Sequence, residues 1–143
     1  MTPKTKIVTI DGQRYQIRKL RPNVGSYILT RILAAGISAG TLEMGDKPNE
    51  SLLMAVFVAF LKGLDFEGFS FIQNNCLAVV GKLTDMGNGS EAPMPIVADS
   101  GIYAYPEIAE NLSLVMSLTV QSLIFNLSDF FEGGGLKATL AEK

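Results

Sequence analysis

Apolar and polar positions alternate on both sides of Asp11-Gly12, in the run Ile7-Val-Thr-Ile-Asp-Gly-Gln-Arg-Tyr-Gln-Ile-Arg-Lys-Leu20. That dipeptide tolerates the positive φ angles of a two-residue type I′ turn, so the period of two predicts a β-hairpin over 6–20. Pairing Ile10 with Gln13 sets Val8 opposite Tyr15 and Lys6 opposite Ile17. Val8, Ile10, Tyr15 and Ile17 then share one face, with Thr9, Arg14, Gln16, Arg18 and Ile7 on the other. A lone hairpin is marginal in water, so its apolar face must dock on further structure.

Beyond Arg21-Pro22-Asn23 the period changes to that of a helix. Asn23 is a candidate N-cap, and Ile28, Leu29, Ile32, Leu33 and Ile37 predict a helix over 24–38. Gly40 to Glu50 reads as a loop. Ser51 is placed to cap a helix over 52–64, apolar on nearly every face and therefore central in a bundle or covered by another subunit. A third helix is expected from Ser70 to Asp85, with Phe71, Ile72, Leu77, Val80 and Leu83 inward. Residues 86–106, rich in Gly, Pro and Ser, read as a long loop whose Ile96-Val97 and Ile102–Tyr105 are candidates for short strands. A last helix follows from Pro106 or Glu107 to Leu127, with one more turn before Gly133-Gly134-Gly135. The pattern thus predicts an α+β fold, mainly α: an N-terminal hairpin packed on a bundle of roughly four helices. Residues 1–132 form one domain in this reading, with a helical body over 24–131 and a flexible tail over 133–143.

Composition changes this picture in two ways. Only 18% of the 143 residues are charged against 48% hydrophobic, which favours burial against partner subunits over a free monomer. The net charge of −2 hides an asymmetry: residues 1–31 carry seven bases and one acid, the remainder five bases and thirteen acids. A basic hairpin before an acidic body can steer head-to-tail self-association, and Arg14, Tyr15 and Arg18 are its candidate residues. The plainer alternative is a solvated outer face. Nucleic acid is not expected as a partner, because the chain is acidic overall and few aromatics lie among the bases.

Candidate chemistry is thin. There is no histidine, which excludes Ser-His-Asp and Cys-His catalysis and histidine metal sites, and the single Cys76 sits in an apolar run that suits a buried thiol. Asp129 and Glu132 lack further ligands nearby, and Gly133–Gly135 lacks the strand-to-helix context of a phosphate loop. No catalytic residue, cofactor or metal is expected. Asn111 to Ser128 runs eighteen residues without a charge, but six polar side chains interrupt it, so a polar-faced bundle helix is expected rather than a membrane span. The opening residues show no continuous apolar signal core, which predicts a cytoplasmic protein.

Three strings together resemble a known family: the hairpin Ile7–Leu20, the helix Tyr27-Ile-Leu-Thr-Arg-Ile-Leu33, and Asn126-Leu-Ser-Asp-Phe-Phe131 before the glycines. They are similar to the tail assembly chaperones of long-tailed bacteriophages. The segment Met86–Pro106 departs from that pattern. The resemblance implies a chaperone in the host cytoplasm that coats the tape measure protein, keeps it soluble and passes it to the polymerising tail tube. It also implies a homo-oligomer, with the tail tube protein and a frameshifted longer form as further partners. Adaptable apolar surface suits such a client, and the candidates are Met54, Phe57, Phe60, Tyr103, Tyr105, Phe130 and Phe131. Tyr103 and Tyr105 have an alternative role as a lid on the chain's own core. A second function stays open: a tube or terminator subunit retained in the virion.

Overall fold

A computed structural model describes residues 4–34, 50–98 and 101–132, with side chains described outside 50–53 and 128–132. The hairpin forms as its pattern dictates. Strands β1 (Thr5–Ile10) and β2 (Gln13–Arg18) pair antiparallel with Val8 opposite Tyr15 and Lys6 opposite Ile17. Asp11 and Gly12 take φ of 53° and 82°, the two positive values of a type I′ turn. Tyr15 and Ile17 are buried, whereas Ile7 on the opposite face is 45% exposed.

Helix α1 (Pro22–Ala34) begins at Pro22, whose missing N–H and fixed φ suit the first helical position. Asn23 therefore lies inside the helix rather than capping it. Val24, Ile28 and Ile32 form its buried stripe. The expected continuation to 38, the loop from Gly40 and the tail 133–143 fall outside the described residues. Helix α2 (Glu50–Lys62) follows. Helix α3 (Phe66–Ala78) starts earlier than the Ser70 expected, because Asp65 caps it: its Oδ1 accepts from Gly68 N–H at 2.8 Å.

The third helix also ends earlier than expected, at Ala78. Val80–Asp85 is a strand, β3, which pairs antiparallel with β2 and with β4 (Glu91–Pro95). The segment 86–106 is consequently not one long loop. A turn with positive φ at Gly87 and Gly89 leads into β4, and a single bridge joins Val97 to Tyr103. The result is a four-stranded sheet in the order β1-β2-β3-β4. Gly81 is required by close approach: a Cβ there would lie 2.7 Å from Cβ of Pro93.

A short helix α4 (Pro106–Ala109) precedes the long α5 (Leu112–Glu132). Asn111 separates them and caps α5, its Oδ1 accepting from Leu114 N–H at 3.1 Å. Helix α5 is the hub on which α1, α2, α3, α4 and β2 pack. One face (Leu114, Leu118, Phe125) meets the sheet and α4, and another (Val120, Ile124, Leu127) meets α1, α2 and α3. The polar interruptions in α5 fit this position. Thr119 Oγ1 donates to Val115 O within the helix, and Ser122 Oγ donates to Cys76 O of α3 at 2.9 Å. Among the described residues no helix is long and apolar enough to cross a membrane.

Candidate client-binding surface

The hairpin residues expected to mediate self-association make contacts within the chain. Tyr15 is 3% exposed in the core beneath the sheet. Burial raises its phenol above the ordinary range, and the carboxylates of Asp11 and Glu107 add to the effect. Arg14 forms an ion pair with Glu91 across the outer face of the sheet. Arg18 serves the C-terminus of α3, where the last carbonyls lack helical partners. Its Nη2 donates to Ala78 O at 3.1 Å and its backbone N–H to Val79 O at 2.9 Å.

The expected client residues are not brought together. Phe57 and Phe60 lie in the helical core at 0% and 5% exposure. An apolar helix with one face on α5 buries its largest rings there, so these two hold α2 in place instead of presenting a surface. Met54 is half-buried at the flank of the same core. Tyr103 and Tyr105 pack half-buried on the separate core under the sheet, as a lid would. Lys82 of β3 ties that lid down. Its Nζ lies 4.4 Å from the centre of the Tyr105 ring and donates to Glu107 Oε2 of α4 at 3.3 Å. A bond to its own backbone N–H, followed by that to Lys82, lowers the carboxyl of Glu107 below its ordinary range. Phe130 and Phe131 lie on α5, but their side chains fall outside the described residues.

Other apolar side chains are open on α1, α2 and α3. Tyr27 of α1 and Phe71 of α3 meet edge to face with ring centres 5.1 Å apart, and each is more than 40% exposed. Phe66 at the start of α3 is 83% exposed, and Val58 on the outer side of α2 is 43% exposed between the exposed Ala55 and Ala59. A signal for Tyr27 does exist in the sequence. It sits one position off the Val24, Ile28, Ile32 stripe, on the flank where an aromatic ring stays half in water. Phe71 was expected inward with Ile72, Leu77, Val80 and Leu83, but Ile72 is buried and Phe71 is exposed, and only the packing of α3 on α5 decides between those adjacent positions.

Burial pushes the Cys76 thiol well above its usual range, opposite to what a nucleophile requires. Among the described residues no group of three or more His, Cys, Asp or Glu converges as metal ligands.

These features describe an α+β scaffold that shows exposed apolar rings. The family model described as phage tail assembly chaperone protein, TAC, matches residues 11–137. The chain therefore belongs to the phage tail assembly chaperone family. No curated protein and no solved structure matches it.

Proposed function

We propose that this tail assembly chaperone binds the phage tape measure protein, keeps it soluble in the host cytoplasm and releases it to the growing tail tube. The observation that carries this reading is the open Tyr27–Phe71 pair, with Phe66 on the same helix as Phe71. Exposed rings held in fixed orientation bind apolar helical stripes at low entropic cost, because little side-chain freedom remains to be lost. Phe57 and Phe60 support α2 from beneath, and Met54 packs half-buried against the same core.

Co-expression with the tape measure protein, followed by size-exclusion chromatography with light scattering, tests the reading. The native chain is expected to co-elute with a soluble client in several copies. The double variant Tyr27→Ser/Phe71→Ser is expected to stay folded and lose most of that solubilisation. A client that precipitates beside the native chain overturns the reading. Detection of the chain in purified virions would instead support a structural tail subunit.

A further inference from the structure

The two edges of the sheet are built differently. Strand β4 carries Pro93 and Pro95 at alternate positions, so both lie on the same side of the strand. Proline survives in a sheet where its missing N–H faces away from the ladder. That edge is thus stripped of two donors and cannot template another strand. Strand β1 is the opposite edge among the described residues and contains neither proline nor bulge. The turn places Ile10 and Gln13 in a hydrogen-bonded pair, which directs the backbone groups of Lys6, Val8 and Ile10 to β2. By alternation, the N–H and C=O groups of Thr5, Ile7 and Thr9 point outward, and all three side chains are exposed.

We infer that β1 pairs antiparallel with β1 of a second copy of this chain, on a two-fold axis through Ile7, joining two sheets into one of eight strands. The sequence is complementary to itself in that register. Ile7 meets Ile7 of the second copy, Thr5 meets Thr9, Lys6 meets Val8 and Lys4 meets Ile10. The apolar pair lies at the centre, the threonines match, and no two lysines stand opposite each other. Only the outward-pointing residues Thr5, Ile7 and Thr9 exchange hydrogen bonds, as the ladder requires. The Ile7 side chain, 45% exposed in one copy, becomes covered. The pairing is isologous and closes as a dimer. It uses the backbone edge of the hairpin, leaving Arg14, Tyr15 and Arg18 in their contacts within the chain, and it does not depend on the identity of the client.

The self-meeting position supplies the test. Sedimentation of the full chain is expected to show a dimer. Ile7→Lys alone and Ile7→Glu alone each place like charges face to face and are expected to weaken dimerisation roughly tenfold or more. An equimolar mixture of the two is expected to recover it as a mixed dimer. Far-UV circular dichroism checks that both variants keep the native fold. As a second measurement, Ile7→Cys should cross-link to itself under mild oxidation. Thr9→Cys should not, because two copies of residue 9 stand about 13 Å apart in this register. A monomeric native chain, including one whose edge accepts only a segment of another protein, overturns the inference. So do variants that dimerise like the native chain, a mixture that stays monomeric, or cross-linking of Thr9→Cys as fast as that of Ile7→Cys.

Discussion

The backbone N–H of Leu20 donates to Oδ1 of Asn126 at 2.8 Å, joining the end of the hairpin to the hub helix across 106 positions of sequence. The same amide uses its nitrogen on Ser122 O at 3.0 Å and Arg18 O at 3.4 Å. One side chain therefore serves a donor and an acceptor at the corner where β2 turns towards α1. Asn126→Ala leaves these groups without their partner, at a cost of about 1–3 kcal/mol. Thermal unfolding should show Tm lower by about 3–10 °C with a single transition. An unchanged Tm would mean that water replaces the amide at this corner.

A second consequence concerns Gly81. Its site admits no Cβ because Pro93 Cβ would stand 2.7 Å away, and a proline ring cannot swing aside as a flexible side-chain end can. Gly81→Ala must push β3 and β4 apart and is expected to lose about 1–3 kcal/mol. In a Pro93→Gly background the same substitution should cost much less, and a double-mutant cycle of urea midpoints reads that difference. Equal costs in both backgrounds would point to backbone strain at Gly81 itself.

The same strand shows how far the sequence can be read. The register of the hairpin was legible because Asp11-Gly12 admits one short turn, which fixes every cross-strand pair, although its outer bounds shift to Thr5 and Arg18. Helix α1 was legible from its stripe, α2 from its continuous apolar run, and the long final helix from its helical spacing, apart from its break at Asn111. Strand β3 was not, because Leu77, Val80 and Leu83 also satisfy helical spacing, so pattern alone could not place the boundary at Val79. Tertiary pairing decided it: β2 offers a second edge, and Val80–Asp85 takes it. Strand β4 was hidden by Pro93 and Pro95, which argue against a central strand and are compatible with an edge. The surface was the least legible part. Burial of Phe57 and exposure of Phe71 depend on how adjacent positions of α2 and α3 face α5, and composition carries no such information.

Capping of α3 yields a third prediction. Asp65 satisfies its first turn, while Arg18 and Ser122 supply donors to its last carbonyls. Asp65→Ala should cost about 1 kcal/mol as the loss of an N-cap. Arg18→Glu should cost more than Arg18→Ala, since a carboxylate beside orphan carbonyls opposes the helix dipole. Amide exchange in α3 should rise in each variant before global stability collapses. If Arg18→Glu instead left exchange untouched, the guanidinium would not be closing that helix.

The pH dependence follows from two groups that feel each other's charge, Tyr15 on β2 and Glu107 on α4. Tyr15 holds its phenol proton more tightly in the folded chain than its ordinary value near 10, through burial and then through the charges of Asp11 and Glu107. Its contribution is fully present below pH 10 and is lost as pH rises towards the raised folded value, since the unfolded chain ionises first. Glu107 behaves oppositely. Its lowered carboxyl adds stability above the ordinary carboxylate range, and that is lost as pH falls through the folded value. This carboxylate is largely exposed, so the acid effect is small and fades with added salt. Denaturant midpoints measured from pH 3 to 11 should therefore show Tyr15→Phe flattening the alkaline limb alone. Glu107→Gln should soften both limbs: the acid one by removing the titrating group, and the alkaline one by removing a charge that opposes ionisation of Tyr15. An alkaline limb unchanged in Tyr15→Phe would transfer that role to Tyr103, whose phenol burial also raises.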